Sequence, residues 1–185
     1  MRSFLLFAIL LVAWFPLSAF AEDLTACRKG WDFTQSGDYP NALAQYEACI
    51  KNGGLSPASL ARTYRNIGIT QRRVGKPLEA VASYDKAINL KPSDMVDDYI
   101  NRGNAYDEAN RFDEALLDYA KALQISPGYG EAYYNRGIAY ENHHMLKEAR
   151  DDFVSAYKHG LRTELLFERL QVYGLLKLKK DANGT

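Results

Sequence analysis

The stretch Tyr133–Tyr140, YYNRGIAY, has a near twin in YINRGNAY at Tyr99–Tyr106 and a looser copy in YRNIGITQ at Tyr64–Gln71. The copies lie 35 and 34 residues apart. A fixed period of this length restricts the chain to stacked supersecondary units, each hiding its apolar face only against its neighbours. Alignment on glycine extends the series to four: Gly30, Gly68, Gly103 and Gly137. At fixed offsets each is followed by an alanine (Ala42, Ala80, Ala115, Ala149), an aromatic (Tyr46, Tyr84, Tyr119, Phe153) and a small residue (Cys49, Ala87, Ala122, Ala156). Pro92 and Pro127 close the middle units. The units begin near residues 23, 61, 96 and 130, and the first is the longest.

These spacings predict two antiparallel helices per unit. Glycine facing alanine lets two backbones approach closely, and the aromatics are expected to fill the gap to the next unit. Gly37, Gly75, Asn110 and His144 fall at one equivalent position between the helices, where a helix-ending turn calls for a positive φ. Pro40 and Pro77 suit the first turn of the second helix, where a missing N–H costs nothing. Ser56 before Pro57 suits a helix cap. After Leu161 the period stops, and TELLFERLQVYGLLKLKK reads as one more helix over about 163–179, capped by Thr163 and covering the last unit. Its inner face would be Leu166, Leu170, Tyr173 and Leu176. Leu165, Phe167, Val172, Leu175 and Leu178 either broaden that buried stripe or form a second apolar face for a partner or another copy.

The pattern resembles the tetratricopeptide repeat family over about residues 23–163. The resemblance implies an all-α, right-handed α–α superhelical solenoid. It would hold four helix–turn–helix repeats, at about 23–60, 61–95, 96–129 and 130–163, plus a C-terminal capping helix. The domain would run over 22–180, with 181–185 a disordered tail. It further implies a non-catalytic protein–protein interaction module whose first helices line a concave groove. Positions 2, 5, 6, 9 and 13 of each unit share that face: Arg62, Arg65, Asn66, Ile69 and Arg73; then Asp97, Ile100, Asn101, Asn104 and Glu108; then Glu131, Tyr134, Asn135, Ile138 and Asn142. The peptide-binding candidates are Arg62, Arg65, Asn66, Arg73, Asn101, Asn104, Tyr134, Asn135 and Ile138. An asparagine amide can hold both N–H and C=O of an extended peptide, each bond netting about 0.5–1.5 kcal/mol. The recurrent asparagine either forms such a ladder or bonds within the solenoid. Arg62, Arg65, Arg72 and Arg73 stand against Asp97, Asp107, Glu108, Glu131 and Glu141. That split either selects a ligand's polarity or pairs within the protein. The family's carboxylate clamp does not carry over, because Glu131 and Asn135 stand where it needs Lys or Arg.

Nothing in the sequence suggests catalysis, a cofactor or a metal. His143, His144 and His159 lack a third ligand at metal spacing and read as solvated turn residues. Gly128–Gly130, GYG, follows no strand and is no dinucleotide fingerprint. Lys plus Arg and Asp plus Glu are balanced at 23 each, so no global charge favours nucleic acid. One positive charge at Arg2, twelve apolar residues from Phe4 to Phe15, and Ala19 and Ala21 before Glu22 read as a signal peptide at 1–21. The apolar run is short against the roughly 20 residues of a spanning helix. Export follows as an expectation, to a bacterial periplasm first and otherwise to secretion. In that oxidising setting Cys27 and Cys49 become a candidate disulfide. Cys27 is fifth in its unit and Cys49 twenty-seventh, placing them opposite one another across an antiparallel helix pair. Expected partners are a protein or peptide, with a homodimer through the C-terminal helix as the rival, and no membrane span once the signal is removed.

Overall fold

The computed structural model describes residues 23–90 and 95–175. Residues 1–21, read above as a signal peptide, Pro92, Leu176, Leu178 and residues 181–185 lie outside them. The described residues form nine helices and no strand: α1 (Thr25–Ser36), α2 (Tyr39–Asn52), α3 (Pro57–Arg73), α4 (Pro77–Asn89), α5 (Met95–Glu108), α6 (Phe112–Ile125), α7 (Gly130–Asn142), α8 (Leu146–Lys158) and α9 (Glu164–Val172). Consecutive odd and even helices pair as hairpins, and α4 on α5, α6 on α7 and α8 on α9 carry the stack forward.

The turns follow the local chemistry. Gly37 (φ 83°), Gly75 (φ 75°), Asn110 (φ 57°) and His144 (φ 61°) all take the left-handed conformation between paired helices. Ser56 caps α3 by accepting from Ser59 N at 3.2 Å, with Pro57 next in line. Thr163 caps α9 the same way, accepting from Leu166 N at 3.3 Å.

The core extends one expectation. The repeated aromatic packs forward on the next unit, as Tyr84 does with Ala105 and Tyr119 with Ala132 and Ala139, and it also lies on the glycine of its own. A Cβ built on Gly30, Gly68, Gly103 or Gly137 would meet the ring of Tyr46, Tyr84, Tyr119 or Phe153 at 2.7, 2.7, 2.9 and 2.8 Å respectively. Glycine therefore clears a seat for a ring. The alanines at 42, 80, 115 and 149 are fully buried beside these seats.

The last helix is shorter than expected. Gly174 takes φ 68° and Leu175 N bonds back to Leu170 O at 2.8 Å, so α9 closes at Val172 instead of running on towards 179. Leu166 and Leu170 are buried against Phe153 and Ala156, with Tyr173 and Leu175 half-buried around them. Leu165 and Val172 remain 60% and 77% exposed. No described helix is long and apolar enough to cross a membrane.

Candidate functional site

Helices α1, α3, α5 and α7 are the first helices of the four units and present the groove positions. Their side chains divide into those bonded within the protein and those that are not.

Arg65 belongs to the first class. Its guanidinium grips the fully buried Asp98 of α5 through Nε at 2.5 Å and Nη2 at 3.0 Å. Arg72 pairs with Glu108 in the same direction. Arg73 donates to the Thr34 carbonyl at 3.0 Å. Most of the arginine cluster of the second unit thus ties units together and is not offered to a ligand. The acidic residues are similarly engaged. Asp97 accepts from Tyr129 Oη at 2.7 Å, and that hydrogen bond, aided by burial, pushes the phenol up to about 12. Glu141 pairs with Arg169 of α9 at 2.7 Å. Asp107 accepts from Asn142 Nδ2 at 2.9 Å and lies 2.9 Å from His143 Nε2. His143 is therefore no solvated turn residue: its ring also stacks on Phe112 at 4.0 Å.

The asparagines split as well. Asn104 donates to Asn135 Oδ1 at 3.1 Å and accepts from Tyr119 Oη at 2.6 Å. Asn135 donates in turn to the Glu131 carbonyl at 2.7 Å. Both amides serve an internal chain. Asn66 and Asn101 differ: both are half-buried, and neither side-chain amide has a hydrogen-bond partner among the described residues. The reason is local. Position 9 is Ile69 in the second unit, whereas Asn104 in the third reaches forward to Asn135. Tyr134 and Ile138 are half-buried against the Phe153–Leu166 cluster, where they help seat α9.

The first unit contributes residues that the candidate set omitted. Extending the same register to α1 gives Leu24, Cys27, Arg28 and Trp31 at positions 2, 5, 6 and 9. These four and Ser59, Arg62, Thr63 and Asn66 of α3 line one recess of about 270 Å³. Among these residues Cys27 meets Thr63, with Sγ 3.1 Å from Thr63 Oγ1. Across the helix pair, the Cα atoms of Cys27 and Cys49 are 5.2 Å apart and their sulfurs are at bonding distance. The register that pointed to these positions was already visible in Gly30; the looser match of the first unit obscured it.

Three tetratricopeptide repeat family profiles match residues 61–94, 96–129 and 119–151. The chain is a tetratricopeptide repeat protein. The photosystem I assembly protein Ycf3 of Synechococcus sp. (strain WH7803) is 28% identical to this repeat protein over 141 residues, covering 69% of the chain and 81% of the relative. Among solved structures, YrrB, titled a TPR protein with an unusual peptide-binding site, superposes with a TM-score of 0.64 at 19% identity, over 81% of this chain and 73% of that one. MamA superposes with a TM-score of 0.61 at 24% identity, over 75% and 78% respectively. The architecture is thus an all-α tetratricopeptide superhelical solenoid, the fold of a protein-interaction module.

Proposed function

We propose that this repeat protein is an exported, non-catalytic adaptor that holds an extended peptide segment of a partner protein in its concave groove. One observation carries the reading: the half-buried amides of Asn66 and Asn101 face the groove from successive units with no hydrogen-bond partner among the described residues. Each amide can take both an N–H and a C=O of an extended backbone, so two unpartnered amides from successive units suit a peptide ligand. Names among the similar proteins point the same way, since one is an assembly protein and another is titled for its peptide-binding site. The signal-like segment at 1–21 supports export, and the facing sulfurs of Cys27 and Cys49 suit an oxidising compartment such as the bacterial periplasm. Affinity purification from an envelope fraction tests the proposal, with the wild type compared to Asn66→Ala plus Asn101→Ala. Loss of partners at an unchanged melting temperature is expected; an unaltered set of partners would remove the groove from consideration.

A second reading rests on Leu165 and Val172, which α9 leaves exposed. A partner or a second copy would dock there with the groove unused. Leu165→Glu plus Val172→Glu would then abolish association, whereas the groove reading expects no change.

A further inference from the structure

Arg28 and Arg62 both line the N-terminal recess, from position 6 of the first unit and position 2 of the second. Both are exposed, and among the described residues neither enters an ion pair. Arg62 makes one weak contact, 3.5 Å to Ser59 Oγ. Among the described residues no carboxylate lines the recess. Arg65, Arg72 and Arg73, by contrast, are bonded to Asp98, Glu108 and the Thr34 carbonyl. Trp31 stands at the same recess with 39% of its surface open, and the unbonded Asn66 amide closes one side.

We infer that this recess anchors an acidic segment of the partner, with a carboxylate side chain next to an aromatic or large apolar one. The inference rests on the groove reading above and specifies its N-terminal end. About 270 Å³ lies just below the usual range of about 300–1,000 Å³ for small-molecule pockets, so the recess suits a single anchor side chain. The indole offers a flat apolar face for that side chain, which is how aromatic anchors dominate binding energy. Arg28 and Arg62 hold the adjoining carboxylate with charge-assisted hydrogen bonds. Asn66 reads the backbone between them. A nucleic acid does not fit as well, because the groove continues into Asp97, bonded among the described residues only to a neutral phenol, and the exposed Glu131, which would repel a phosphate chain. Those same acids set the direction: the acidic part of the ligand lies over α1 and α3, and any basic flank lies towards α5 and α7.

The chain has two tryptophans, Trp14 and Trp31, so in a full-length Trp14→Phe protein the indole of Trp31 alone reports. The probes are two short peptides without tryptophan and with both termini blocked, one centred on Asp-Phe-Glu and the other on Asn-Phe-Gln. Blocking the termini ensures that only side chains supply charge. The acidic peptide should shift Trp31 emission and bind at least about tenfold more tightly than its neutral isostere, a preference that added salt weakens. Arg28→Gln plus Arg62→Gln should bring the two peptides to equal affinity without changing the melting temperature. Equal binding of both peptides to the wild type, a preference that survives in the double variant, or no binding at all would overturn the inference. If Asn101→Ala weakens binding while the arginine variant does not, the anchor is wrong and the groove reading stands.

Discussion

The first two units and the last two share one helix–turn–helix geometry but fill the same slots with different chemistry. In the third and fourth units, position 7 is arginine and position 23 aspartate. Arg102 clamps Asp118 through two bonds of 2.7 Å, and Arg136 clamps Asp152 at 2.7 and 2.8 Å. The corresponding pairs in the first half are Lys29 with Gln45 and Ile67 with Ser83. Ile67 and Ser83 line an open recess of about 540 Å³, with Leu43, Ile50 and Tyr64. The first half is tied by the Arg73 guanidinium on the Thr34 carbonyl and by uncharged groups. Thr34 Oγ1 lies 2.9 Å from Thr70 Oγ1 and 3.3 Å from Tyr46 Oη, and the sulfurs of Cys27 and Cys49 meet across the first hairpin. Seats of glycine under a ring and buried alanines recur in all four units, so they set the shape. The polar slots are free to vary, and at positions 7 and 23 an arginine–aspartate pair stands in the third and fourth units alone.

The largest expected effect lies where the halves join. Asp98 is fully buried and receives two hydrogen bonds from Arg65 of the second unit. Asp98→Ala removes the carboxylate that accepts both of these bonds, and breaking a buried pair this way costs about 3–5 kcal/mol. Unfolding should also become biphasic in urea, with Trp31 emission reporting the first half before helical circular dichroism is lost. A cost below about 1 kcal/mol, with the two probes still coincident, would mean that the junction is held by packing alone.

The next effect separates the halves by redox state. Cys27 and Cys49 are 22 residues apart, and a bridge closing such a loop contributes about 3 kcal/mol. Reduction, or Cys27→Ser plus Cys49→Ser, should speed amide exchange in α1 and α2 and leave α7 and α8 unchanged. Equal acceleration at both ends would break the comparison.

How much of this could be read in advance depended on how local the cause was. The left-handed turns at Gly37, Gly75, Asn110 and His144 are fixed by residues that tolerate positive φ, and they stood in the sequence. The facing of Cys27 and Cys49 followed from register within one hairpin. The fate of Arg65 did not, because its partner Asp98 lies in the next unit and their meeting depends on how one unit is rotated on another. Asn135 was drawn away from the groove for the same reason, by Asn104 of the preceding unit. The end of α9 was legible at Gly174 but was outvoted by the apolar run beyond it.

A graft sharpens the contrast at smaller cost. Arg136→Ile with Asp152→Ser writes the second unit's pair into the fourth. Replacing a half-buried ion pair by an apolar and a small residue should change stability by less than about 1 kcal/mol, whereas Asp152→Ala alone should cost about 3 kcal/mol. Chemical denaturation of the three proteins decides it. If the graft is as damaging as the single change, the clamp is a requirement of the second half and not one of two interchangeable fillings.

The smallest effect compares one ring position across units. Tyr46, Tyr84, Tyr119 and Phe153 each cover their glycine. The Tyr119 hydroxyl donates to Asn104, and Tyr46 Oη lies 3.3 Å from Thr34 Oγ1. The Tyr84 hydroxyl is buried with no hydrogen-bond partner among the described residues, and burial pushes its phenol far above the ordinary value, so it stays neutral. Ile69 explains the gap, since it stands where the third unit has Asn104. Tyr84→Phe keeps the ring on Gly68 and removes only the stranded oxygen, so stability should hold or rise by up to about 1 kcal/mol. Tyr119→Phe makes the identical chemical change but breaks the bond to Asn104, and should cost about 1 kcal/mol. Melting curves of the two variants should therefore move apart in sign. If both lose stability equally, the Tyr84 hydroxyl is bonded in solution, and the unsatisfied slot assigned to the second unit does not exist.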